Sequence, residues 1–181
     1  MTTEQNATTL FLEFSRHKLL DQYWPRMRIC VESLTDEQVW WRPNKASNSV
    51  GNLLLHLNGN VRQWLVASFN HLEDARKRQA EFDAPVQLPA SALIQQLDET
   101  MQQAAKTFSR LTETDLLSRL DIQGYHVTGL AAIYQAVEHF GLHYGQLIYI
   151  TKMLCGEDLG FYRELNQTGR PPESLKARSA P

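Results

Sequence analysis

Four stretches of this chain repeat apolar residues every three or four positions, and no stretch carries a convincing apolar–polar alternation. A period near 3.6 gathers apolar side chains onto one stripe of a helix, and such stripes are most simply covered by other helices. The first stretch, about residues 4–33, sets Leu12, Leu19, Tyr23, Met27, Cys30 and Leu34 at spacings of three, four or seven. Pro25 lies inside it and is expected to kink or divide it near Trp24, because proline removes one helical hydrogen bond and crowds the preceding turn. The second, about residues 49–71, carries Val50, Leu53, Leu54, Leu57, Val61, Trp64, Leu65 and Phe69. The third, about 89–111, aligns Leu93, Leu97, Met101, Ala104, Phe108 and Leu111, with Pro89 suited to its first turn. The fourth runs from about 129 to 154, and Gly156 stands where a terminating glycine belongs.

The intervening segments are shorter and more polar. Thr35-Asp36-Glu37-Gln38 has the form of a capping box and predicts a short helical turn through Trp40 and Trp41 that stops before Pro43. Residues 42–49 read as a loop, and 73–88 and 112–128 as connectors, with Gln123-Gly124 marking a turn. The expected architecture is all-α: a four-helix bundle in one domain over residues 1–166. Residues 167–181 lack periodicity and are expected to form a mobile tail.

Composition excludes several functions. Lys and Arg number 18 against 20 Asp and Glu, a net charge of −2, which lacks the basic surface that nucleic-acid binding needs. Two cysteines, Cys30 and Cys155, are too few for a disulfide framework or a thiolate metal cage. The polar N-terminus shows no secretory pattern, and apolar runs break well before about 18 residues, the length that would span a membrane. A cytoplasmic protein with no membrane partner is expected.

Three of the six histidines occupy unusual places. His56 interrupts an apolar run, and His139 and His143 stand four apart on the fourth helix, with Cβ atoms roughly 5–6 Å apart on one face. Two imidazoles so placed can converge on one ion. Asn52, His56 and Asn60 form a polar stripe on the second helix; Gln135, His139, His143 and Gln146 form another on the fourth. Polar stripes turned into a bundle are costly unless paired, so the two are expected to face each other. A three-histidine metal site with Asn52, Asn60, Gln135 and Gln146 around it would satisfy them. The competing reading keeps His56 as a core histidine bonded to a carbonyl. His71 and His126 lie about 22 Å and 19 Å from the nearest of the three along a helix, and Cys155 about 18 Å from His143, which removes them as ligands. His17 is ambiguous, and Trp40-Trp41-Arg42 would rim one end of the bundle.

These motifs carry a family resemblance. The run Asn48-Ser49-Val50-Gly51-Asn52-Leu53-Leu54-Leu55-His56-Leu57-Asn58-Gly59-Asn60, followed by Arg62-Gln63-Trp64, resembles the DinB-like family. So does Glu138-His139-Phe140-Gly141-Leu142-His143-Tyr144-Gly145-Gln146, continuing to Lys152, and the resemblance covers about residues 5–160. It implies a four-helix bundle holding a divalent metal ion, commonly zinc or nickel, on His56, His139 and His143. It further implies a thiol-dependent S-transferase or isomerase acting with a low-molecular-weight thiol, frequently as a homodimer, and no DNA binding. The alternatives are a metal-dependent hydrolase and a non-catalytic helical dimerisation or interaction protein with structural histidines.

Overall fold

The computed structural model describes residues 6–84 and 86–169. Its helical elements are α1 (Ala7–Arg16), α2 (Trp24–Glu32), α3 (Asp36–Trp40), α4 (Val50–Val61), α5 (Ser68–Asn70), α6 (Arg78–Asp83), α7 (Ala90–Phe108), α8 (Glu113–Leu117), α9 (Gly129–Cys155) and α10 (Arg163–Thr168). A hairpin of β1 (Arg119–Ile122) and β2 (Tyr125–Thr128) precedes α9. Four long rods form the expected helical bundle: α1 running into α2, α4 running into α5, α7 and α9.

Pro25 neither breaks nor sharply divides the first rod. The segment His17–Tyr23 widens into a π-helix, the Trp24 N–H reaches back five residues to the Leu19 carbonyl, and Pro25 sits in the first turn of α2. The wider turn accommodates a residue that lacks an N–H and crowds the carbonyl four residues back. A second π segment, Arg62–Ala67, joins α4 to α5, where Ser68 donates its hydroxyl to the Gln63 carbonyl at 2.7 Å.

The start signals are realised as side-chain caps. Thr35 accepts from the Gln38 N–H while Gln38 accepts from the Thr35 N–H. Ser49 and Asn52 form the same reciprocal pair at the head of α4. The Gly156 end of α9 is left-handed, with φ +72°.

Two connectors hold structure that periodicity did not reveal. Residues 78–83 coil into α6, and the hairpin flanks the expected turn, with Gln123 at φ +53° and Gly124 at φ +80°. Two consecutive positive φ values suit a two-residue turn matched to strand twist. The last helix, α10, crosses the boundary expected at residue 166, and residues 170–181 of the expected tail lie outside the described residues.

The core collects Leu19, Met27 and Val31 from the first rod, Leu53, Leu54, Leu57 and Leu65 from the second, Leu93 and Leu97 from α7, and Ile133, Phe140 and Leu147 from α9. Helix α4 packs on α3, α6, α7 and α9 together, so it is buried around most of its circumference. That is why its sequence is apolar nearly all round, and why each polar residue on it needs a partner.

Candidate metal centre

His56 leaves α4, and His139 and His143 leave α9, and the three rings meet. Ring centroids lie 5.0 Å apart for His56 and His139, 5.1 Å for His56 and His143, and 4.6 Å for His139 and His143, each pair edge-on. Their ligand nitrogens all fall within 4.8 Å of one another, a constellation that can hold a metal ion. His56 is 3% exposed, and the other two are half-buried.

The rings are held in a definite sense. Glu81 Oε2 stands 2.9 Å from His56 Nδ1, and Gln146 Oε1 stands 2.8 Å from His143 Nδ1. A carboxylate and an amide carbonyl only accept, so each Nδ1 carries the proton and each Nε2 offers its lone pair. Arg76 Nη2, which only donates, also lies 3.2 Å from His56 Nδ1 but gives its shorter bond, 2.8 Å, to Glu81 Oε2. His56 Nε2 faces His139 Nε2 at 2.8 Å. With the His56 lone pair directed there, the close approach is relieved either by a proton on His139 or by a cation among the rings.

Electrostatics keep His139 and His143 neutral. Burial, then the neighbouring His143 and His56, press the His139 pKa down from 6.5 to about 4. Burial also lowers His143, against the opposing hydrogen bond to Gln146. Burial works against the Glu81 carboxylate, yet hydrogen bonds from Arg76 and His56 outweigh it and hold Glu81 below the usual carboxylate value. Two neutral imidazoles, an ionised carboxylate behind the third ring and Nε2 lone pairs turned inward make a donor set that fits a divalent cation.

The connector supplies the support that motif spacing missed. Arg76 grips Glu81 with both edges of its fork, Nε to Oε1 at 2.7 Å and Nη2 to Oε2 at 2.8 Å, and reaches Gln63 Oε1 at 2.8 Å. Phe82 packs on the His56 ring at 4.9 Å. Gly59 makes room: a Cβ there would collide with the Glu81 carboxylate and come within 2.8 Å of Arg76 Nε. A charged run between two helices gives no periodic sign of such a role; its one cue was an Arg and a Glu five residues apart. Beyond this pair opens a cavity of about 350 Å³, bordered by Asn58, Arg62, Gln63, Asp74 and Lys77, which none of the three histidines lines.

The four amides take different places. Gln146 orients His143. Asn52 caps α4 and donates Nδ2 to the Glu81 and Phe82 carbonyls at 2.9 and 3.0 Å, so it anchors the segment that carries Glu81. Asn60 is buried, and its Oδ1 has no partner. Gln135 is half-buried and makes no side-chain hydrogen bond among the described residues. His17 lies 3.5 Å from Asp21 and outside the cluster, and His126 is exposed on β2 against Asp121. Trp40 donates its indole N–H to the Leu88 carbonyl, and Arg42 reaches the Phe82 carbonyl, so this segment clamps the connector.

Comparisons with known proteins agree with this architecture. The family described as "Protein of unknown function (DUF1572)" matches residues 6–163. A DinB-like protein from Bacillus cereus ATCC 10987 superposes with a TM-score of 0.59 at 15% identity, covering 73% of this chain and 85% of that one. A conserved protein from Enterococcus faecalis gives 0.67 at 17% identity, covering 80% and 96%. The resemblance read from the histidine motifs is thereby borne out, and these likenesses show a shared fold. No curated protein matches the chain.

Proposed function

We propose that this chain, which belongs to the DUF1572 family, is a metal-dependent enzyme in which His56, His139 and His143 hold a divalent ion and a low-molecular-weight thiol attacks an electrophilic substrate. The observation that carries the reading is the inward turn of the His56 and His143 Nε2 lone pairs, enforced by Glu81 and Gln146. Three neutral imidazoles leave an ion its full positive charge and at least one open position, so a bound zinc or nickel ion would hold a thiol as thiolate.

The chain's own residues do the rest. Glu81 and Gln146 fix two of the ring tautomers, and Arg76 fixes Glu81. Phe82 covers one side of His56 and keeps water from it. S-transfer and isomerisation both need this one thiolate and differ in whether the thiol leaves again. The partners in this reading are a small thiol and a second copy of the chain.

Purified protein is expected to carry a stoichiometric divalent metal ion that a His143→Ala variant lacks. A reactive electrophile should then turn over faster with one member of a panel of small thiols than with water. Near-zero metal in both proteins would reject the metal reading. Turnover by water that no thiol accelerates would replace the transferase with a hydrolase.

A further inference from the structure

Arg26 on α2 is 7% exposed, yet among the described residues no carboxylate answers its charge. Arg76 is answered by Glu81, and the exposed Arg16 and Arg28 by Asp21 and by Glu32 and Asp98. Arg26 instead meets neutral groups. Its Nη1 donates to the Tyr144 and Tyr162 hydroxyls at 3.2 and 3.3 Å, and its Cζ lies over the Phe161 and Tyr162 rings, 5.4 and 5.0 Å from their centroids. Arginine is rarely buried without a charged partner, because taking the charge out of water is costly, so an anion beside this one is favoured.

The contacts leave one edge of the guanidinium for that anion. Both Nη1 hydrogens go to the phenols and the aromatic rings lie against the guanidinium plane, while Nε and Nη2 make no hydrogen bond among the described residues. The enclosed side-chain polar atoms without a partner are Asn60 Oδ1 and Trp64 Nε1, so Nε and Nη2 of Arg26 are reached by solvent. These two atoms form the in-plane fork that matches a pair of carboxylate oxygens. The phenols that accept from Nη1 keep their own O–H groups and stand beside the fork as further donors. Burial raises the Tyr144 pKa against the pull of Arg26, and burial together with Tyr162 raises that of Tyr23, whose ring lies 4.9 Å from Tyr144; both phenols hold their protons at neutral pH.

The cluster is separate from the three histidines. Helix α9 turns His139 and His143 to His56, whereas Phe140 and Tyr144 stack on Tyr23 of the first rod. We infer that the Nε–Nη2 edge of Arg26, bordered by Tyr144, Phe161 and Tyr162, binds the carboxylate of a small apolar monocarboxylate. One guanidinium among neutral phenols balances one negative charge, which favours a carboxylate over a phosphate dianion, and the aromatic border suits an apolar body behind it.

The test titrates benzoate and its neutral counterpart benzamide into the full chain at neutral pH while following the tyrosine ring resonances. Benzoate is expected to shift the Tyr144 and Tyr162 signals saturably at millimolar concentration or below, and benzamide to bind about tenfold more weakly or worse. Arg26→Lys keeps the charge but loses the fork, and should weaken benzoate about tenfold. Tyr162→Phe removes one hydroxyl from a ring that is half-exposed, so folding is not at stake, and should weaken benzoate roughly 3–10-fold. Zinc-loaded and chelator-treated protein should bind benzoate alike, so the inference stands or falls apart from the metal reading. Signals that benzoate leaves unmoved, or that benzamide moves at the same concentration, would mean that Arg26 only fastens residues 161 and 162 to the bundle, and would overturn the inference. So would a Tyr162→Phe chain that binds benzoate as the wild type does. Inorganic phosphate bound as tightly as benzoate would overturn the carboxylate class, and binding that needs zinc would place the anion at the histidines instead.

Discussion

Burial presses the His139 pKa down to about 4 from its ordinary 6.5, and the direction fixes how acid acts on the metal-free protein. Between those values the unfolded chain binds a proton that the folded chain refuses, so stability is lost as pH falls from about 6.5 toward 4. Thermal unfolding of chelator-treated protein should show that slope, and His139→Gln should flatten it; an unchanged slope in the variant would place the titration elsewhere. Glu81 acts one bond further out. Glu81→Gln keeps an acceptor for His56 but removes the charge that Arg76 grips, and Gly59→Ala pushes the carboxylate aside. Both are expected to weaken metal binding roughly 10–100-fold in a competition titration, the range seen when the partner of a ligand histidine is lost.

The elements that periodicity revealed are the long ones. Helices of 12–27 residues repeat a stripe several times, whereas α6 has six residues and each strand four. A six-residue helix without a side-chain cap does not hold itself together, because so few bonds cannot offset the nucleation cost. It is instead fixed by Asn52, by Arg42 and by the Arg76–Glu81 pair, contacts between residues distant in sequence or unmarked by any motif. Asn52→Ala removes a cap and two anchors at once. It is expected to cost about 1–2 kcal/mol in urea unfolding and to speed tryptic cleavage at Arg76, Lys77 and Arg78. Cleavage at the wild-type rate would show that α6 is held by other means.

For the whole molecule, the centre ties two rods together, so filling it should stabilise the fold rather than only the site. With zinc at about 100 times its dissociation constant the gain is about 2.7 kcal/mol. In a chain of this size that raises Tm by roughly 5–10 °C. His56→Ala should show no such rise, and a rise of equal size in that variant would place the ion elsewhere. Phe140, fully buried on α9 one residue from His139, separates packing from ligation. Phe140→Ala is expected to cost about 3–5 kcal/mol while metal stoichiometry at low temperature stays unchanged.

The stripes of Leu53, Leu57 and Val61, or of Ile133, Phe140 and Leu147, were legible from spacing alone, because apolar periodicity is a local property that burial enforces. With them came the helical bundle and the pairing of His139 with His143, since a separation of four residues settles which side chains share a face. The approach of His56 to that pair was expected from the need of polar stripes for partners and from the family resemblance, not from any local period. That Glu81 and Arg76 stand behind His56, and that Asn60 and Trp64 are left with open hydrogen-bonding atoms, was decided in three dimensions. Those relations depend on how the connector folds back over α4, and no local period encodes a contact between segments that meet only when the helices pack.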